Sequence, residues 1–233
     1  MNILVTGATG GIGNVICSVL APLGKIYATG RNESVLKSLD VADYCVCDLA
    51  GNINHLINFI RKNNIDVLIN NAGEYIYHKV DEIKPEDIDN LYNINLLAPA
   101  KLISAVTPHM KENCWGRIIN IGSISGVMGE ACASIYSSSK SGLIGLTKAL
   151  ALELAEYNIT VNTINPGWVD TELGKNSVEA CDFSEEEILS TIPQKRYIKP
   201  EEVASLVKYL ISEDAKGLTG QSINLCAGLS VGI

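Results

Sequence analysis

Asn2-Ile3-Leu4-Val5-Thr6-Gly7-Ala8-Thr9-Gly10-Gly11-Ile12-Gly13 opens the chain with a short apolar strand, a glycine-rich turn and the start of a helix. The helix pattern continues through Val15, Ile16, Val19, Leu20 and Leu23, apolar at three- and four-residue spacing. Strand, glycine turn and helix bring backbone N–H groups and the positive end of a helix to one point, which suits a phosphate. The spacing is Gly-x-x-x-Gly-x-Gly rather than the common Gly-x-Gly-x-x-Gly. No Gly-Lys-Ser/Thr follows, which argues against a nucleotide-hydrolysing P-loop.

Outward from this unit, β-like runs recur at 25–29, 43–47, 65–69, 116–122, 159–164 and 221–225. Helical patterns lie between them at 53–62, 86–112, 136–157 and 200–212. Strands alternating with helices predict an α/β fold, a Rossmann-like doubly wound parallel sheet of about seven strands with helices on both faces. No linker or repeat divides the chain, so residues 1–233 are expected to form one domain. Residues 172–199 read as irregular, and a mobile lid over a substrate is expected there. Ligand should lie across the carboxyl ends of the strands, where Gly7 to Gly13, Asp48, Asn70 to Gly73, Ser123 and Pro166 to Thr171 fall.

The chain is 233 residues long and 47% hydrophobic, with mean hydropathy +0.18, enough for a large, doubly covered core. A net charge of -8 and a pI near 4.9 argue against nucleic acid and anionic membrane as partners. No apolar run has the length of a membrane span. The N-terminus enters a strand without a basic segment, so no signal peptide is expected and a cytoplasmic location is. Seven Cys, without a disulfide framework, and three scattered His give no expected metal site and suggest reduced structural thiols.

The chemistry concentrates between Ser123 and Lys140. Tyr136 and Lys140 are four residues apart at the start of a helix pattern, so both project from one face. A fixed ammonium one turn away is expected to favour the phenolate and lower the phenol pKa. Such a tyrosine can pass a proton to or from an alcohol oxygen, and Ser123, just after a strand, can bond the same oxygen. The alternative is an ordinary solvated helix face. Asn95 falls inside an apolar stretch and needs partners; it can bracket the core, or bend the helix and hold a water. Gly30 and Arg31 end the second strand, where NAD-preferring folds place an acid. A guanidinium there can pair with a 2′-phosphate, although Arg31 also reads as a surface arginine ahead of a helix.

Thr6-Gly7-x-x-x-Gly11-x-Gly13, Asn70-Asn71-Ala72-Gly73, Asn95, Ser123, Tyr136-x-x-x-Lys140 and Pro166-Gly167 together resemble the short-chain dehydrogenase/reductase family over essentially the whole chain. Within it, the likeness is to bacterial 3-oxoacyl-[acyl-carrier-protein] reductases, supported by the compact length and the Thr-Gly-Gln-Ser-Ile-Asn ending. Gly10, Glu74 and Cys226-Ala227-Gly228 depart from the usual residues of those reductases. The resemblance implies a catalytic set of Asn95, Ser123, Tyr136 and Lys140. Ser123 would position the carbonyl and Tyr136 act as acid. Lys140 would hold the nicotinamide ribose and tune Tyr136, and Asn95 would hold a relay water. Coenzyme contacts would come from Gly7, Ala8, Thr9, Gly10, Gly11, Ile12, Gly13, Arg31, Asp48, Leu49, Asn71, Ala72, Gly73, Tyr136, Lys140, Pro166, Gly167, Val169 and Thr171.

The implied activity is NADP(H)-dependent reduction of a ketone, favoured over NAD(H) through Arg31. The substrate would be a small molecule or an acyl-carrier-bound 3-oxoacyl thioester, with a place in fatty acid biosynthesis. Alcohol, sugar or steroid dehydrogenases of the family are the alternative, and a non-catalytic dinucleotide-binding regulator the remote one. Small residues on the 136–157 helix (Ser137, Ser141, Gly145, Ala149) and the family likeness point to a homotetramer built on that helix and 86–112.

Overall fold

The computed structural model describes residues 1–181 and 183–231. In chain order the elements are β1 (Asn2–Thr6), α1 (Gly11–Leu20), β2 (Lys25–Gly30), α2 (Glu33–Ser38), β3 (Asp43–Val46), α3 (Asn54–Asn63) and β4 (Val67–Asn70). There follow α4 (Pro85–Tyr92), α5 (Ala98–Glu112), β5 (Gly116–Ile121), α6 (Ser125–Met128), α7 (Ser134–Leu154) and β6 (Ile159–Pro166). The chain ends with α8 (Glu172–Ala180), α9 (Glu185–Thr191), α10 (Pro200–Leu210) and β7 (Ser222–Leu225).

The seven strands form one parallel sheet in the order β3-β2-β1-β4-β5-β6-β7. Alternation along each strand sorts its side chains onto two faces. Ile3, Val5, Val67, Ile69, Ile119 and Ile164 meet Ile16, Leu20, Val203 and Val207 of α1 and α10. Leu4, Leu68, Ile118 and Val161 meet Leu56, Leu102, Val106 and Leu154 of α3, α5 and α7. Both faces are therefore covered, which is why the strands read as continuous apolar runs. The chain winds outward from β1 to β3, then returns to β4 on the other side of β1. The crevice at this switch point is where such sheets bind ligands.

Two expectations need correction. The 86–112 helix is not a single α-helix, because Asn93–Leu97 forms a π-helical turn between α4 and α5. A π-turn accommodates one extra residue and re-aims the side chains it carries, Asn95 among them. The 172–199 region is not irregular either: it carries α8 and α9. Thr171 Oγ1 caps α8 by accepting from the Gly174 N–H at 3.1 Å. Ser184 and Glu187 form a reciprocal capping box on α9, in which the Ser184 N–H donates to Glu187 Oε2 at 2.8 Å. The Ser-x-x-Glu signature of that box was present in the sequence. Residue 182, within the expected lid, lies outside the described residues.

Candidate active site

The glycine turn is held open by its neighbours. Gly7 has φ +62°, a region that L side chains disfavour, and a Cβ on it would stand 2.8 Å from Ala72 Cα. A Cβ on Gly13 would collide with the Gly7 carbonyl oxygen. Thr6 Oγ1 accepts from the N–H groups of Asn71 and Ala72, both at 3.0 Å. The Asn71 amide donates to the carbonyls of Thr6 at 2.9 Å and Gly7 at 3.2 Å. The ends of β1 and β4 are thus braced against each other, and Asn71 serves as a strut for the turn. Helix α1 has Gly10 at its N-cap, no side-chain cap and no acid in its first turn. Its first N–H groups and positive dipole end are left to face an anion. Crowded glycines and an uncapped helix fit the pyrophosphate of a dinucleotide.

The turn opens into a cavity of about 860 Å³ that runs from Arg31 and Asp48, past Tyr136, to α8 and α9. Of the sequence-predicted site residues, all but Ala8 and Asn95 line it. Ala8 is buried in the core, with its N–H bonded to the Thr29 carbonyl at 3.1 Å. Arg31 is exposed at the rim. Gly30 is the last residue of β2, with Arg31 just beyond it, and a Cβ on Gly30 would stand 3.0 Å from Thr9 Oγ1. Asp48 turns its carboxylate back on its own loop, accepting from the Ala50 N–H at 3.0 Å.

At the centre, β5 delivers Ser123 and α7 delivers Tyr136 and Lys140. Lys140 is buried and donates to the Ile121 carbonyl at 2.9 Å, with Nζ 5.7 Å from the Tyr136 ring centroid. Burial pushes the Tyr136 phenol up to about 12, the Ser123 hydroxyl pulls it back in part, and the Glu130 carboxylate raises it further. Burial pushes the Lys140 ammonium down to about 8. The expectation that Lys140 lowers the Tyr136 pKa is therefore corrected: burial is the largest influence on the phenol, and the downward pull comes from the Ser123 hydroxyl rather than from Lys140. Asn95, buried on its π-turn, brackets the backbone of Glu74. Its Oδ1 accepts from the Glu74 N–H at 2.9 Å, and its amide donates to the Glu74 carbonyl at 2.9 Å and to Ser139 Oγ at 3.2 Å. Of the two alternatives for Asn95, this geometry is the core bracket.

Three residues that sequence reasoning missed join this centre. Tyr75 packs edge-to-face on Tyr136, ring centroids 5.0 Å apart. Its hydroxyl donates to Glu130 Oε1 at 2.8 Å. Ser125 Oγ donates to Glu130 Oε2 at 2.6 Å and accepts from Ser123 Oγ at 3.2 Å. Burial, then the Glu130 charge, holds the Tyr75 phenol far above its ordinary value. Position was the only signal: Tyr75 follows the Asn-Ala-Gly-Glu turn, and Glu130 lies inside the Ser123–Lys140 interval. Away from this centre, all seven cysteines are free thiols, and burial raises Cys17 to about 12 and Cys47 to about 11.

A switch-point crevice floored by a glycine turn and flanked by a buried Tyr–Lys pair defines a dinucleotide-dependent enzyme. The short chain dehydrogenase model matches residues 1–182. The 3-oxoacyl-[acyl-carrier-protein] reductase FabG of Rickettsia felis is 39% identical, over 97% of this chain and 95% of the relative. A variant of actinorhodin polyketide ketoreductase crystallised with NADPH superposes with TM-score 0.91 at 35% identity, over 99% of this chain and 97% of the other. A 4-hydroxyisoleucine dehydrogenase complexed with NADH superposes with TM-score 0.92 at 30% identity, over 100% and 99%. The chain belongs to the short-chain dehydrogenase family and is an oxidoreductase dependent on a nicotinamide dinucleotide. No helix among the described residues is long and apolar enough to cross a membrane.

Proposed function

We propose that the protein reduces a ketone to a secondary alcohol with NADP(H), and that the ketone is a 3-oxoacyl thioester. The observation that carries the reading is the geometry of Tyr136, hydrogen-bonded to Ser123 and one turn from the buried Lys140, whose Nζ lies 5.7 Å from the phenol ring centroid. When bound, the reduced coenzyme supplies the hydride. Ser123 donates a hydrogen bond to the substrate carbonyl oxygen, and Tyr136 gives that oxygen its proton. The charge left on the Tyr136 oxygen is stabilised by Lys140. Both amide hydrogens of Asn95 are engaged, so a relay water would have only the second lone pair of Oδ1. The main part of Asn95 is to fix Glu74 and, through it, Gly73 beside Lys140.

The coenzyme would be held by the Gly7–Gly13 turn and the N-terminus of α1, with Asp48 and Leu49 at the adenine and Asn71 to Gly73 along the ribose. Pro166, Gly167, Val169 and Thr171 would meet the carboxamide end. Exposed Arg31 beside Gly30 would meet a 2′-phosphate and favour NADP(H). Helices α8 and α9 would act as a lid, with Leu173 and Phe183 offering exposed apolar surface above the cavity. An acidic carrier protein would dock on Lys195 and Lys199, since Lys175 pairs with Asp170 and Arg196 with Glu202. Exposed Leu152, Gly145 and Ala149 on α7 support assembly of a homotetramer through that helix. The likeness to FabG supports a cytoplasmic role in fatty acid biosynthesis.

The test is turnover of acetoacetyl-N-acetylcysteamine, a diketone and a sugar with NADPH and with NADH, and of a secondary alcohol and the sugar with NADP+ and with NAD+. Thioester reduction with NADPH is expected to be fastest. Preferential oxidation of an alcohol or sugar would move the protein to the dehydrogenases of the family, and no turnover of any of them would refute the reductase reading.

A further inference from the structure

The described lining of the cavity holds the carboxylates Asp48, Glu74, Glu130, Glu172 and Glu187 against the cations Arg31 and Lys140. Arg31 stands at one end, and the Lys140 ammonium is bonded to the Ile121 carbonyl. The part of the cavity beyond Tyr136 is therefore acidic. Glu130 is the carboxylate nearest the chemistry, because Tyr75 links it to the Tyr136 ring, and Ser125 links it to Ser123. Two hydroxyl donors fix its oxygens, one on each, so the carboxylate cannot swing away from the cleft. Each oxygen keeps a further lone pair that can accept from a ligand.

We propose that Glu130 is a charge filter on the substrate: it favours ketones whose neighbouring group is neutral or donates a hydrogen bond, and it turns away free oxo acids. The inference rests on the reductase reading above and refines its substrate class. A fixed carboxylate accepts a hydrogen bond from an amide or hydroxyl close to the reacting carbonyl. Against a substrate carboxylate it has only repulsion, and the partly closed cavity screens that less than water does. An esterified 3-oxo acid passes the filter, and the same acid set free does not.

Acetoacetamide and acetoacetate have nearly the same shape and differ in the charge and the donor, with methyl acetoacetate as the neutral reference. The readout is kcat/KM for each at pH 7 and fixed ionic strength. For a compound that is not turned over, it is Ki against acetoacetyl-N-acetylcysteamine. Wild type should prefer acetoacetamide to acetoacetate by about tenfold or more, as expected for like charges a few ångströms apart in a partly desolvated site. Glu130→Gln should narrow that ratio to about threefold or less, and Glu130→Asp, which keeps the charge, should hold it. If Glu130→Gln does not fold, Tyr75→Phe frees Oε1 without touching the charge and should leave the ratio at least as large as in wild type. An equal ratio in Glu130→Gln and wild type, a ratio narrowed by Tyr75→Phe, or a wild type that prefers acetoacetate overturns the filter. A wild type that reduces neither the thioester nor any one of the three compounds overturns the reductase reading instead.

Discussion

The wall of the cleft made by Gly7–Gly13 and Asn71–Gly73 is built from backbone, whereas the opposite wall, with Tyr75, Ser125, Glu130, α8 and α9, is built from side chains. On the first wall, glycines without room for a Cβ are braced by Thr6 and Asn71. On the second, contacts join residues far apart in sequence, such as Tyr75 and Glu130, 55 positions from each other. In the proposed reading, the backbone wall would hold the coenzyme and the side-chain wall would meet the substrate. Between them, Tyr136 and Lys140 belong to neither: buried polar groups whose ionisation is set by burial.

The largest effect is expected at Tyr136. Tyr136→Phe keeps the ring and removes the proton, so kcat for reduction should fall by about 10²–10⁴, measured under saturating coenzyme and ketone. On the backbone wall, Gly13→Ala brings a Cβ against the Gly7 carbonyl and 2.8 Å from Asn71 Nδ2. Overpacking of this kind costs about 1–3 kcal/mol. It should appear as a lower Tm and as weaker coenzyme binding by titration.

The pH profile reports the centre. Lys140, lowered to about 8, is an ammonium below that pH and neutral above it, while Tyr136, raised to about 12, keeps its proton throughout. Reduction should therefore weaken as pH rises through about 8, when the charge left on Tyr136 loses its cation. A kcat/KM that stays level from pH 6 to 10 would remove Lys140 from the mechanism.

Coenzyme choice is a smaller effect. Arg31 is exposed and Gly10 offers no second cation, so Arg31→Ala should cut the preference for NADPH by about tenfold, the low end for a charge-assisted contact. Gly30→Asp with Arg31→Ile should reverse the preference, provided that Thr9, 3.0 Å from the new Cβ, rotates aside. The smallest effect lies in α9. Ser184→Ala removes the cap and should speed amide exchange in that helix by about two- to thirtyfold, with little change elsewhere.

The contrast also explains what the sequence revealed. The Gly7–Gly13 turn, the two core faces and the Tyr136–Lys140 spacing follow from local periodicity and local turn chemistry, and all were readable. The sense of the Tyr136 shift was not, because a one-turn spacing reveals the neighbouring cation but not the burial that raises the phenol. Asn95 was visible as an anomaly, but its π-turn and its two bonds to Glu74, 21 positions away, have no local sequence sign. Helix α9 carried a readable capping box, but both α8 and α9 have too few periodic apolar residues to suggest helix. Glu130 and Tyr75 gave no local sign, since what matters is their meeting across the cleft.

The division of labour between the walls and the centre is tested most directly by measuring the coenzyme Kd and kcat in parallel for Tyr136→Phe and Arg31→Ala. The expected result is a double dissociation: Tyr136→Phe lowers kcat by about 10²–10⁴ with a near-normal NADPH Kd, and Arg31→Ala raises the NADPH Kd with a near-normal kcat. A Tyr136→Phe enzyme that turns over at the wild-type rate, or loses NADPH affinity in proportion to its rate, would contradict the assignment of Tyr136 as the proton donor.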